Sequence, residues 1–123
     1  MLFDRACPGG GWNAGNGFVY GMPMAPHSDG TAIALLALQD ESSVEITMRS
    51  LAWLEREAHN CEAPWSLAWA ILALNALDKS VHSLQDHLAS IAESDSFDDI
   101  ATLAAAVLAL DCATSGNPFK VIR

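Results

Sequence analysis

Ala34-Leu35-Leu36-Ala37-Leu38-Gln39, Ala70-Ile71-Leu72-Ala73-Leu74-Asn75 and Ala106-Val107-Leu108-Ala109-Leu110-Asp111 are three versions of one hexapeptide, and their starts lie 36 residues apart. In all three the first five positions are apolar and the sixth is polar. A fixed period of this length in alanine- and leucine-rich sequence marks a helical repeat: each unit is too thin to bury its own apolar face and must stack on its neighbours.

Outward from these hexapeptides the chain reads as five helices. The first begins near Thr31, with Ser28 or Asp29 as cap, and ends at about Gln39. The second covers about Val44 to His59 behind Ser42-Ser43-Val44-Glu45, which has capping-box spacing. Its apolar stripe is Val44, Met48, Leu51, Leu54 and Ala58. The third, from Pro64 or Trp65 to Leu77, carries no charge and is expected to be buried all round. The fourth runs from Val81 to about Ala92 behind Ser80, with its stripe at Val81, Leu84, Leu88 and Ile91. The fifth runs from about Asp98 to Leu110 and is uncharged from Ile100 onward. Alternation of dry and amphipathic helices predicts two layers, with the dry helices inside and the amphipathic ones shielding them. The expected fold is all-α: antiparallel helical hairpins forming one domain over 1–123, with a glycine- and proline-rich loop at 6–30, five helices over 31–111 and a tail at 112–123.

Composition bounds the function. The 123 residues are 51% hydrophobic and 17% charged, where an ordinary globular domain has about 25% charged, so part of the surface is expected to be covered, by a partner subunit or by a missing portion of a larger fold. Fifteen acids against six scattered bases give a net charge of −9, which argues against nucleic acid and anionic membranes as partners. The longest uncharged helical run, 63–77, has 15 residues, fewer than the ~18 of a spanning helix. Asp4 and Arg5 stand where a secretory leader would be apolar. Cys7, Cys61 and Cys112 are odd in number and widely spaced, and are expected to be reduced thiols in a cytoplasmic protein.

The 6–30 segment contains Gly9-Gly10-Gly11-Trp12-Asn13 and Gly15-Asn16-Gly17 and runs into Pro26-His27-Ser28-Asp29-Gly30-Thr31-Ala32-Ile33-Ala34-Leu35-Leu36-Ala37-Leu38. Glycine and proline, in Cys7 to Gly17 and again in Gly21 to Pro26, exclude helix from this lead and imply an ordered loop or a set of tight turns. This Gly-Gly-Trp loop followed by a Thr-Ala-x-Ala-Leu-Leu-Ala-Leu helix resembles the repeat of the squalene–hopene cyclase and protein-prenyltransferase β-subunit superfamily. The resemblance implies part of an α–α toroid, with inner and outer helices around an apolar cavity. Those toroids use about a dozen helices where this chain has five, so the resemblance also implies either a portion of a longer protein or a short relative that self-associates.

Hopene-type cyclases protonate a polyprene with an Asp-x-Asp-Asp-Thr-Ala motif. The matching stretch here is Ser96-Phe97-Asp98-Asp99-Ile100-Ala101, which lacks the first Asp and the Thr. The resemblance makes Asp98 the general acid and Asp99 its partner. The opposing reading is that acids at a helix start cap its free N–H groups. Prenyltransferases carry an Asp, Cys and His zinc site; the only adjacent pair, Asp111-Cys112, has no histidine after it, so no metal is expected. His82 and Asp86 share a helix face on the wet side of the fourth helix and read as solvated. Cyclases also line their cavities with aromatics that stabilise carbocations. Trp65 and Trp69, one turn apart at the start of a dry helix, are the candidates for ligand contact, although an aromatic pair at helical spacing is more often core. Trp12 is expected to pack between helix ends. The glycines lack the Lys-Ser/Thr of a phosphate cradle.

The leading expectation is a cyclase-like or prenyltransferase-like repeat protein that binds an apolar, isoprenoid-type ligand, needs no cofactor, and lacks complete catalytic machinery. If it has an activity, that would be a cyclase-like isomerisation or a prenyl transfer. The alternative is a non-enzymatic helical-repeat module that binds another protein, a second copy or a missing half of a toroid.

Overall fold

Pro64 sits in the first helical turn, where its missing N–H removes no hydrogen bond and its fixed φ suits the helix. The apolar run behind it forms α3 (Pro64–Ala76), the centre of the molecule. The structure, a computed structural model, describes residues 2–13, 15, 17–94, 97 and 99–121. The other helices are α1 (Ser28–Ala37), α2 (Glu45–Ala58), α4 (His82–Ser94) and α5 (Ile100–Asp111). Among the described residues the only strands are the two-residue β1 (Phe18–Val19) and β2 (Met22–Pro23), paired antiparallel across Tyr20 and Gly21, which both have positive φ. The molecule is all-α.

α3 packs on α1 along one flank and on α5 along the other, while α2 lies against α1 and α3, and α4 against α3 and α5. One layer is therefore the row α1, α3, α5, and α2 and α4 make the second. Leu67, Ile71, Leu72 and Leu74 of α3 are fully buried, together with Leu35 of α1, Leu54 of α2 and Leu88 of α4. Each such side chain contributes about 1.5–3 kcal/mol by leaving water. Ala68, Ala70, Ala73, Ala105, Ala106 and Ala109 are buried between them, and their small size lets the helices approach closely. α3 ends with Asp78 in the left-handed region; Lys79 N donates to the Leu74 carbonyl and Asp78 N to that of Asn75, the Schellman arrangement.

Several sequence expectations need correction. α1 begins at Ser28, with His27 as N-cap, so neither Ser28 nor Asp29 caps it. The capping box does not form: Val44 is the N-cap of α2, and Glu45 reaches forward to Arg49 at 2.6 Å. α2 is also rotated from its expected stripe, burying Thr47, Ser50, Leu54 and Ala58 and leaving Met48 exposed. The reason is the glycine loop, which needs a polar anchor on this helix. Gly11 N donates to Ser50 Oγ at 2.7 Å, and Trp12 N to Thr31 Oγ1 at 2.9 Å. Trp12 is buried with its indole N–H on the Leu2 carbonyl at 2.7 Å, closing the loop against the end of the row.

The largest departure is α5. Its uncharged sequence predicts burial, yet only Ala105, Ala106 and Ala109 are buried, and Ile100, Leu103, Val107, Leu108 and Leu110 are exposed. Among the described residues α5 has α3 on one side in the row and no helix on the other.

Candidate functional site

Asp99 is the N-cap of α5. Its Oδ1 accepts from Thr102 N at 2.7 Å and its Oδ2 from Thr102 Oγ1 at 2.8 Å. These hydrogen bonds favour the ionised carboxylate and hold its pKa below the usual carboxylate range. A general acid for polyprene chemistry needs the opposite shift, produced by an apolar surround; Asp99 is instead fully solvated. Its sequence-stretch partner Asp98 lies outside the described residues.

Trp65 and Trp69 are partly buried against the core and meet edge to face with ring centroids 5.7 Å apart. Phe119 lies over Trp69 at 5.1 Å. The tail brings Phe119 there by a set of hydrogen bonds that sequence reasoning missed. Gln39 Nε2 donates to the Phe119 carbonyl at 2.8 Å and Gln39 Oε1 accepts from Val121 N at 2.8 Å. Asn117 Nδ2 donates to the Leu72 carbonyl at 2.8 Å and to Asn75 Oδ1 at 3.1 Å. Lys120 pairs with Asp78 at 2.6 Å. Gln39 and Asn75 are the polar sixth positions of the first two hexapeptides, and that recurring polar residue was the available signal. The Trp69 indole N–H is buried without a partner among the described residues.

His82 and Asp86 are exposed, as expected for a wet face, and no cluster of three metal-ligating side chains occurs among the described residues. His87 Nε2 instead lies 3.1 Å from the Cys61 carbonyl and 3.4 Å from Glu62. All three cysteines are free; burial raises the pKa of Cys7, Cys61 and Cys112 and so lowers their reactivity. No described helix is long and apolar enough to cross a membrane.

The feature that stands apart is the bare face of α5. The 36-residue period pairs Leu103 with Leu67 and Thr31, Val107 with Ile71 and Leu35, and Leu110 with Leu74 and Leu38. On α1 and α3 these positions are buried, Leu35 and Ile71 to 0% exposure; on α5 Leu103 is 50% exposed and Val107 57%. One side-chain pattern that is core twice in the molecule is solvated the third time. At the other end of the row, Ile33 and Ala37 of α1 are exposed beside an open cavity of about 270 Å³ that also meets Leu2, Trp12 and Ala34. Comparison with protein-family models, with curated proteins and with solved structures found no match to this chain.

Proposed function

We propose that this chain is a helical-repeat module whose function is association, and that it engages its partner through the apolar face of α5. The observation that carries this reading is the exposure of Leu103, Val107 and Leu110 at positions whose counterparts on α1 and α3 are core. An apolar face of this kind is unfavourable in water and is relieved by a complementary surface. The low charge content of the chain supports the same reading. The two-layer row is also what the resemblance to cyclase and prenyltransferase toroids leads one to expect, so membership in that superfamily remains part of the proposal. No catalytic role is assigned to Asp99, whose carboxylate is occupied as a cap.

The test is the mass of the chain in solution, by light scattering or sedimentation, against that of a Leu103→Glu/Val107→Glu variant. The wild type is expected to exceed monomer mass and the variant to be monomeric with an unchanged helical spectrum. A wild type of monomer mass at every concentration, or a variant that assembles equally well, removes the reading.

A second reading, binding of an isoprenoid-type apolar ligand, is favoured by the Trp65, Trp69 and Phe119 cluster with its unpartnered indole N–H. Here melting is followed with and without a farnesyl or squalene-type compound. A ligand that binds the native state raises the transition, and an unshifted transition rejects this second reading.

A further inference from the structure

We infer that the occupant of the α5 face is a second copy of this chain, which seats the free edge of its α1 there, head to tail. The inference rests on the association reading above and names the partner. It follows from the direction of the row. Leu67, Ile71 and Leu74 of α3 stand in the same 36-residue register as Thr31 and Leu35 of α1 and Leu38 at its C-cap, and all six are buried in a molecule where α3 packs on both α1 and α5. Call this the forward face. α5 repeats it as Leu103, Val107 and Leu110, which no described residue buries.

The opposite, backward face is equally periodic. Ala105 and Ala109 of α5, buried at the row, correspond to Trp69 and Ala73 of α3 and to Ile33 and Ala37 of α1. On α1 alone this face is open: Ile33 is 49% exposed, and Ala37 is exposed beside the cavity walled by Trp12 and Leu2. Among the described residues the row thus leaves its forward face bare on α5 and its backward face bare on α1, the two halves of an interface it already makes twice internally. By that same register Leu103 and Val107 of one copy meet Ile33 and Ala37 of the next, the counterparts of Ala105 and Ala109. Such a contact is heterologous, so assembly continues past two copies until it closes into a ring or runs on as a filament.

The experiment blocks one edge at a time. Val107→Glu places a charge on the forward face and Ile33→Glu on the backward face; both sites are exposed in the single chain, so both variants are expected to fold. Leu103→Lys and Ala37→Glu serve as second choices if either fails to give the wild-type helical spectrum. Sedimentation from low micromolar to hundreds of micromolar is expected to show a wild-type mass that climbs beyond two chains. Each variant alone should be monomeric, because every contact needs one intact face of each kind. An equimolar mixture of the two should form a species of two chains and stop there. If Val107→Glu is monomeric while Ile33→Glu keeps the wild-type mass, pairing is symmetric through α5; that overturns the head-to-tail inference and leaves the association reading standing. If the wild type itself stays monomeric, both fall.

Discussion

Two residues fix the ends of the row, and both can be probed singly. Gly11 has φ of +84°, and a Cβ there would stand 2.6 Å from Pro26 Cβ and 2.9 Å from Thr31 Oγ1. Gly11→Ala is therefore expected to cost about 2–5 kcal/mol from backbone strain and overpacking, read as a lower urea midpoint. Ser50→Ala should cost about 1–3 kcal/mol because the buried Gly11 N–H loses its acceptor. At the other end, the folded pKa of Asp99 is depressed, so its cap stabilises fully above the ordinary carboxylate pKa of about 3.9 and is lost as pH falls through the depressed value. Asp99→Asn keeps a neutral cap and should flatten that part of the acid limb, whereas Asp99→Ala should lower the melting temperature at neutral pH. An Asp99→Asn melting curve as acid-sensitive as the wild type would contradict the capping role.

Elements with nearly the same sequence meet different surroundings, which gives a prediction at their own scale. Ile71 and Val107 occupy one position of the hexapeptide, but Ile71 is fully buried on α3, which packs on both α1 and α5, and Val107 is half in water. Ile71→Ala should destabilise the chain by about 2–5 kcal/mol, the range for cavity-forming core truncations. Val107→Ala, measured by denaturant titration at a concentration low enough to keep chains apart, should stay within about 0.5 kcal/mol of wild type. Equal losses at the two positions would mean that α5 is covered within the single chain. The elements themselves were legible from periodicity, because apolar spacing, Pro64 and the 36-residue period report local helix directly. The rotation of α2 was not legible: Met48 falls in the apolar stripe and Ser50 outside it, and only the glycine loop gives Ser50 a hydrogen-bond partner, 39 residues away in sequence. The tail was missed for the same reason, since Gln39, Asn75 and Asn117 gain meaning only when the chain end crosses the row.

For the whole molecule, assembly must bring together chains that each carry a net charge of −9. Like charge opposes the approach and added salt screens it, with a Debye length of about 10 Å at 0.1 M, while the apolar contact is indifferent to modest salt. Self-association is therefore expected to strengthen on raising sodium chloride from low to physiological ionic strength, seen as a higher weight-average mass at fixed concentration. Weakening over the same range would point to an interface held by ion pairs and away from the α5 face.

The sequence by itself determined that this chain is helical, that its helices recur with a fixed period, and that its dry segments are the ones carrying the hexapeptide, because those properties follow from side-chain spacing within one element. Only the tertiary structure decided which dry segments are core. Burial depends on having a neighbour on each flank; among the described residues α3 has two in the row and α5 has one, so nearly identical sequences become the centre of the row in one case and a bare edge in the other.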